Sequence, residues 1–186
     1  MQRRSFLFFL VLFLSLFSAG IFADVMQERR LTISASLFPR IIAVDTEISK
    51  KLDAAGNIRL ALIYSDSKTK AEKISRLMTR KVKKIAGKTI VFSLVDINSP
   101  SSLDSEKHAG LFLVQPLSER QIQKAINHSN NNNILLFSPF EGDIERGVMA
   151  SIFVGAKIRP YFNVLSMKNA GVNLKSGLLK VSKLYE

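Results

Sequence analysis

Two small groups of side chains in this sequence have the types and spacing for chemistry. Glu141, Asp143 and Glu145 alternate within SPFEGDIERG, and Ser65 and Ser67 flank Asp66 directly after an apolar run. Neighbouring carboxylates can pass a proton or hold a cation. A solvated turn explains the same three equally well, with Arg146 beside them, and the loop offers too few ligands for Ca²⁺. His108 and His128 stand apart in polar sequence and read as ordinary surface residues. The chain has no cysteine, so neither zinc spacing nor a disulfide framework is available. No G-x-S-x-G elbow is present for a serine hydrolase. Gly87-Lys88-Thr89 imitates the end of a P-loop, but Val82 stands where its first glycine belongs and a strand-like run follows. No G-x-G-x-x-G follows a strand, so no dinucleotide cofactor is expected. The expectation is a protein without catalytic residues, metal or cofactor.

The serine loop has a second possible use. In an open α/β sheet, ligands sit beyond the carboxyl ends of the strands, where helix N-termini offer free N–H groups. Ser65 and Ser67, with Ser138 at another strand end, are therefore candidate ligand-binding residues for a small anion. Helix capping is the competing role for them, and Asp66 would repel an anion.

The strongest signal is electrostatic. The chain carries 27 Lys and Arg against 15 Asp and Glu, a net charge of +12. From Lys68 to Lys88 there are nine bases against Glu72 alone, so most of the surplus lies in one segment. Like charges at i,i+3 and i,i+4 cost a helix stability, so the cluster needs a use. Lys73, Arg76, Arg80, Lys83 and Lys84 are expected to cover the outer face of one helix, as a partner-binding patch or as a solvated face.

Four short apolar runs must position these groups: 58–64 (IRLALIY), 89–95 (TIVFSLV), 110–114 (GLFLV) and 133–137 (NILLF). Near-continuous hydrophobicity predicts strands buried on both faces, as in a parallel sheet. Thr69 and Glu72 have capping-box spacing, followed by Ala71, Ile74, Leu77, Met78, Val82 and Ile85 on one stripe and a stop at Gly87. Ser118 and Gln121 repeat that spacing before Ile122, Ala125 and Ile126, and asparagines 130–133 make the return turn. The polar connection 96–107 is expected to be irregular or a short helix. Segments 148–154 and 158–164 form a hairpin through Gly155-Ala156-Lys157, with Pro160 requiring an edge or a bulge. Leu178, Val181 and Leu184 mark a terminal helix, and 31–45 is helical in part, interrupted near Pro39. The fold class is therefore a single α/β domain. Its sheet is mostly parallel with flanking helices, and a C-terminal antiparallel hairpin and terminal helix follow.

Residues 1–23 read as a separate element. Arg3 and Arg4 precede an apolar stretch from Phe6 to Phe17, and small residues follow up to Ala23, the pattern of a secretory signal peptide. Residues 24–186 are then the folded domain, exported to the periplasm, with no transmembrane helix once the signal is cleaved. Retention as an anchor is the alternative. Removing Arg3 and Arg4 lowers the net charge from +12 to +10, and export puts cytoplasmic nucleic acid out of reach. Anionic membrane, anionic polysaccharide or an acidic protein face remain as partners.

The order of several weak motifs adds a resemblance. The chain runs ILLFSP, then ERGV, then KIRPYFNV, then AGVNLKSGLLKVS, preceded by LFPRIIAVD, IRLALIYSDS and GLFLVQPLSERQI. Over residues 31–186 this resembles the YfiR family of small periplasmic proteins, with Gly147, Asn163, Leu178 and Leu179 matching best. The resemblance implies a YfiR-like α/β fold, often a homodimer. It also implies a non-enzymatic regulator that binds a membrane sensor protein, a diguanylate cyclase or kinase, through its periplasmic domain. Cyclic di-GMP signalling and biofilm formation follow from that role. The cysteines through which some members form disulfides are missing here. A small solute- or anion-binding accessory protein is the other function compatible with the residues.

Overall fold

The structure is a computed structural model and describes residues 25–186. The signal-peptide reading of 1–23 lies outside those residues. Among the described residues no helix is long and apolar enough to cross a membrane.

Strand β1 (Ile58–Tyr64) shows why its run is almost continuously apolar. Leu60 and Leu62 enter one core and Ala61 and Ile63 the other, all fully buried. A strand covered on both faces has no solvent side on which to place polar residues. β1 pairs in parallel with β3 (Lys88–Asp96) and with β4 (Gly110–Leu113). β4 pairs in parallel with β5 (Leu135–Phe137), and β5 joins β6 (Ala150–Val154) through Phe137 and Ala150. β7 (Ile158–Asn163) returns antiparallel to β6. The full order is β2-β3-β1-β4-β5-β6-β7-β8, where β2 is Lys84–Ile85 and β8 is Lys183–Tyr185. The expected mostly parallel α/β domain with a C-terminal hairpin is what forms.

Helices cover both faces. α1 (residues 25–42) and α2 (Lys68–Lys81) pack on one core with Leu60, Leu62 and Phe112. α3 (Glu119–Asn131) packs on the other with Ala61, Ile63 and Leu111. Phe38 of α1 meets Phe112 and Phe137 at centroid distances of 5.3 and 5.7 Å, which fastens α1 across β4 and β5. The close approach needs Gly110, since a Cβ there would sit 2.6 Å from Ile42 Cδ1. The α3 capping box forms as its sequence requires, Ser118 and Gln121 each satisfying the other's backbone N–H.

Four local expectations are corrected. α1 does not break at Pro39 but continues to residue 42. The backbone hydrogen bond that proline cannot donate is offset by complete burial of Phe38, Ile41 and Ile42. The N-cap of α2 is Ser67, which accepts from Lys70 N–H, rather than Thr69. α2 ends at Lys81, not at Gly87: Val82 is extended, and Ala86 and Gly87 both have positive φ in a tight turn joining β2 to β3. The terminal helix is one short segment, α5 (Ser176–Val181), after α4 (Val164–Asn169), and Leu184 lies on edge strand β8, parallel to β7. β8 pairs only with Tyr161–Asn163, so Pro160 meets no ladder on that side, as its missing N–H demands.

The connection 97–109 has no regular helix, yet it packs on the α3 face through buried Ile97 and Leu103. Lys124 of α3 holds it by donating to the carbonyls of Ile97 and Ser99, both at 2.9 Å.

Candidate functional site

The cationic segment begins at the end of β1 and follows α2. Its apolar residues Ala71, Ile74 and Met78 are buried, which turns Lys73, Arg76 and Arg80 outward, all exposed. Lys83 and Lys84 are exposed too, but they lie after the helix, Lys84 on β2. The five residues therefore form a helix face and its hairpin extension, not one helix face. Lys73 Nζ meets Glu28 Oε1 of α1 at 2.5 Å, and this bond, more than burial can oppose, holds the Glu28 carboxyl below the usual range. Arg76 stands 3.9 Å from Glu72. Lys81 Nζ donates to Ser36 Oγ at 2.6 Å. Those cross-links join Lys73 to Glu28 and Lys81 to Ser36, equal steps along both helices, so α1 and α2 run side by side in the same direction. Among the described residues no carboxylate lies within ion-pair distance of Arg80, Lys83 or Lys84.

The serine candidates have other occupations. The sheet order reverses between β1 and β4, which makes their carboxyl ends the switch point where a ligand crevice belongs. Gln115, two residues past the end of β4, fills it. Its Nε2 donates to Ser65 Oγ at 2.8 Å and to Asp66 Oδ2 at 3.0 Å, while its Oε1 accepts from Ser67 N–H at 3.0 Å. Ser67 Oγ caps α2. Ser138, at the end of β5, is fully buried; its hydroxyl donates to Asp143 Oδ2 at 2.5 Å and accepts from Phe140 N–H. Ser65 and Ser67 are brought together, and Ser138 is not brought to them. Gln115 was legible only as the first polar residue after an apolar run.

The acidic cluster does not converge either. Glu141 and Glu145 are exposed, whereas Asp143 is buried between Ser138 and Arg146. Burial raises the Asp143 carboxyl in spite of those two partners. Arg146 bridges on to Glu119 at 2.9 Å, tying the loop to the start of α3. This is a structural clamp.

The histidines are a further correction. His108 is buried, and His128 comes to the same open cavity of about 640 Å³ with Lys50, Lys107, Asp104 and Glu106. Burial, with His128 and Arg59 adding to it, pushes His108 down to about 4, and its Nε2 lies 2.9 Å from Ser93 Oγ. Its position two residues before the apolar start of β4 is what draws it inside. Among the described residues no three His, Asp or Glu side chains group as metal ligands.

A family model described as YfiR/HmsC-like matches residues 49–183, most of the described chain. The chain belongs to the YfiR/HmsC-like family. That membership supports a regulatory role of a general kind in the periplasm, in a family not known for enzymes. No curated protein matches the chain in sequence. Among solved structures it is similar to the ABC domain from Streptococcus pneumonia in complex with L-Trp, at 12% identity and a TM-score of 0.49. The match covers 78% of this chain and 62% of that one, so the YfiR/HmsC-like chain spans less than two thirds of it.

Proposed function

We propose that this protein is a non-enzymatic periplasmic regulator that binds and modulates a membrane-bound sensor of the diguanylate cyclase class. Lys73, Arg76, Arg80, Lys83 and Lys84 bring it to the membrane assembly that holds the sensor. The observation that carries the reading is the family match over residues 49–183. The cationic face supplies the means, since exposed charge raises encounter rates and makes docking sensitive to salt.

The test is recovery of a sensor. Tagged protein cross-linked in cells is purified, and bound membrane proteins are assayed for cyclase activity. Cyclase recovery, and a rise in cyclic di-GMP when the regulator is deleted, is the expected result. An unchanged cyclic di-GMP level together with no cyclase in the cross-linked fraction refutes the reading.

A further inference from the structure

The composition of the docking face names the surface it fits. We propose that Lys73, Arg76, Arg80, Lys83 and Lys84 bind the headgroups of anionic phospholipid, with Val25 and Met26 at the start of α1 entering the headgroup layer beside them. This rests on the reading of those cations as the docking surface and adds what they dock against.

The face lacks an exposed apolar core. Between Ser65 and Val91 there is no aromatic residue. The large apolar side chains of the segment are buried (Ile74, Met78, Ile85) or half-buried (Leu77, Val82). A protein interface has an apolar core enriched in aromatic residues and depleted in Lys. Here the surface is Lys and Arg without that core. Phosphate headgroups need only cations, each contributing independently, and long aliphatic stems let the charges reach them.

Val25 and Met26 are 61% and 49% exposed, and among the described residues the other large exposed apolar side chains all lie at or beyond Val154. Val25 lines one open groove with Glu28, Lys70, Lys73 and Arg76. Glu28 is one helical turn from Val25, and its bond to Lys73 ties that turn of α1 to the cationic face. An apolar tip beside a cationic face is how a protein rests on an anionic bilayer. The charge on the face is also unbalanced. The ion pairs on the face engage Lys73 and Arg76, leaving Arg80, Lys83 and Lys84 without a carboxylate partner among the described residues.

Co-sedimentation of the mature chain, residues 24–186, with vesicles of phosphatidylglycerol and phosphatidylethanolamine, against phosphatidylcholine alone, tests the proposal. Binding should depend on phosphatidylglycerol, weaken with salt, and fall roughly fivefold for each cation removed. Two variants are compared: Gln at all five positions, and Gln at Arg80, Lys83 and Lys84 only, which keeps both ion pairs and so protects the fold. Equal sedimentation with both vesicle types, or by both variants and the unaltered protein, overturns it. A second arm separates lipid from protein: in detergent extract, where no bilayer remains, the five-position variant should recover the sensor as well as the unaltered protein does. If only the variant fails there, the face binds protein and the lipid inference falls. If neither recovers a sensor, the regulator reading falls, while the vesicle result still decides the inference.

Discussion

Gln115 Nε2 donates to Ser65 Oγ across 2.8 Å, and through that bond the end of β4 closes the end of β1. The same side chain serves Asp66 and the backbone of Ser67. It therefore fills the switch-point crevice with the protein's own amide, and the neighbouring hydroxyls cap and brace the helix start.

Replacing Gln115 by Ala should cost about 1–3 kcal/mol, because it strands a half-buried backbone N–H and leaves polar partners unmatched. The urea midpoint measures it. A loss below the error of the extrapolation would mean that water replaces the amide fully.

The α1 anchor should be more sensitive. Phe38→Ala removes a fully buried ring that packs against Phe112 and Phe137, with an expected cost of about 3–5 kcal/mol. Gly110→Ala attacks the same contact from the sheet side, pressing on Ile42 and Phe38, and about 1–3 kcal/mol of overpacking is expected. Thermal unfolding of the two variants should rank them in that order.

Acid should weaken the fold through His108. Its folded value is depressed to about 4 from 6.5, so between those values the unfolded chain binds a proton that the folded chain refuses. Stability is then fully present above about pH 6.5 and is lost as pH falls toward 4, by roughly 3 kcal/mol in all. Asp143, raised by burial, works in the opposite direction. Comparing His108→Gln with the unaltered protein isolates the histidine: the variant's stability should vary less between pH 7 and pH 4.5. Parallel pH profiles would contradict this.

The clamp at Asp143 should prove structural. Asp143→Ala leaves the buried Ser138 hydroxyl without its acceptor and Arg146 with Glu119 as its one carboxylate partner, at a cost of about 1–3 kcal/mol. Sensor recovery at a temperature where the variant is folded should be unchanged. A specific loss of recovery there would instead give the acidic loop a functional role.

Much of the architecture was readable in one dimension because burial on two faces writes itself as continuous apolar runs. IRLALIY marked β1 residue for residue, and Ser118 with Gln121 marked the start of α3 through a cap that involves only local atoms. What local pattern misjudged depended on distant partners. Pro39 stays helical because Phe112 and Phe137 hold the turns around it. Leu184 becomes a strand because β7 offers an open edge. His108 is drawn inside by the sheet it precedes.

The sequence by itself determined the α/β class, the strand runs and the concentration of positive charge between Lys68 and Lys88, since periodicity and composition are properties of neighbours along the chain. Only the tertiary structure decided which residues meet. It gave the switch point to Gln115, separated Ser138 from Ser65 and Ser67, and divided the cations between a helix and a hairpin beside the exposed start of α1. Those are outcomes of strand order and packing, which join residues far apart in sequence through contacts that no local spacing encodes.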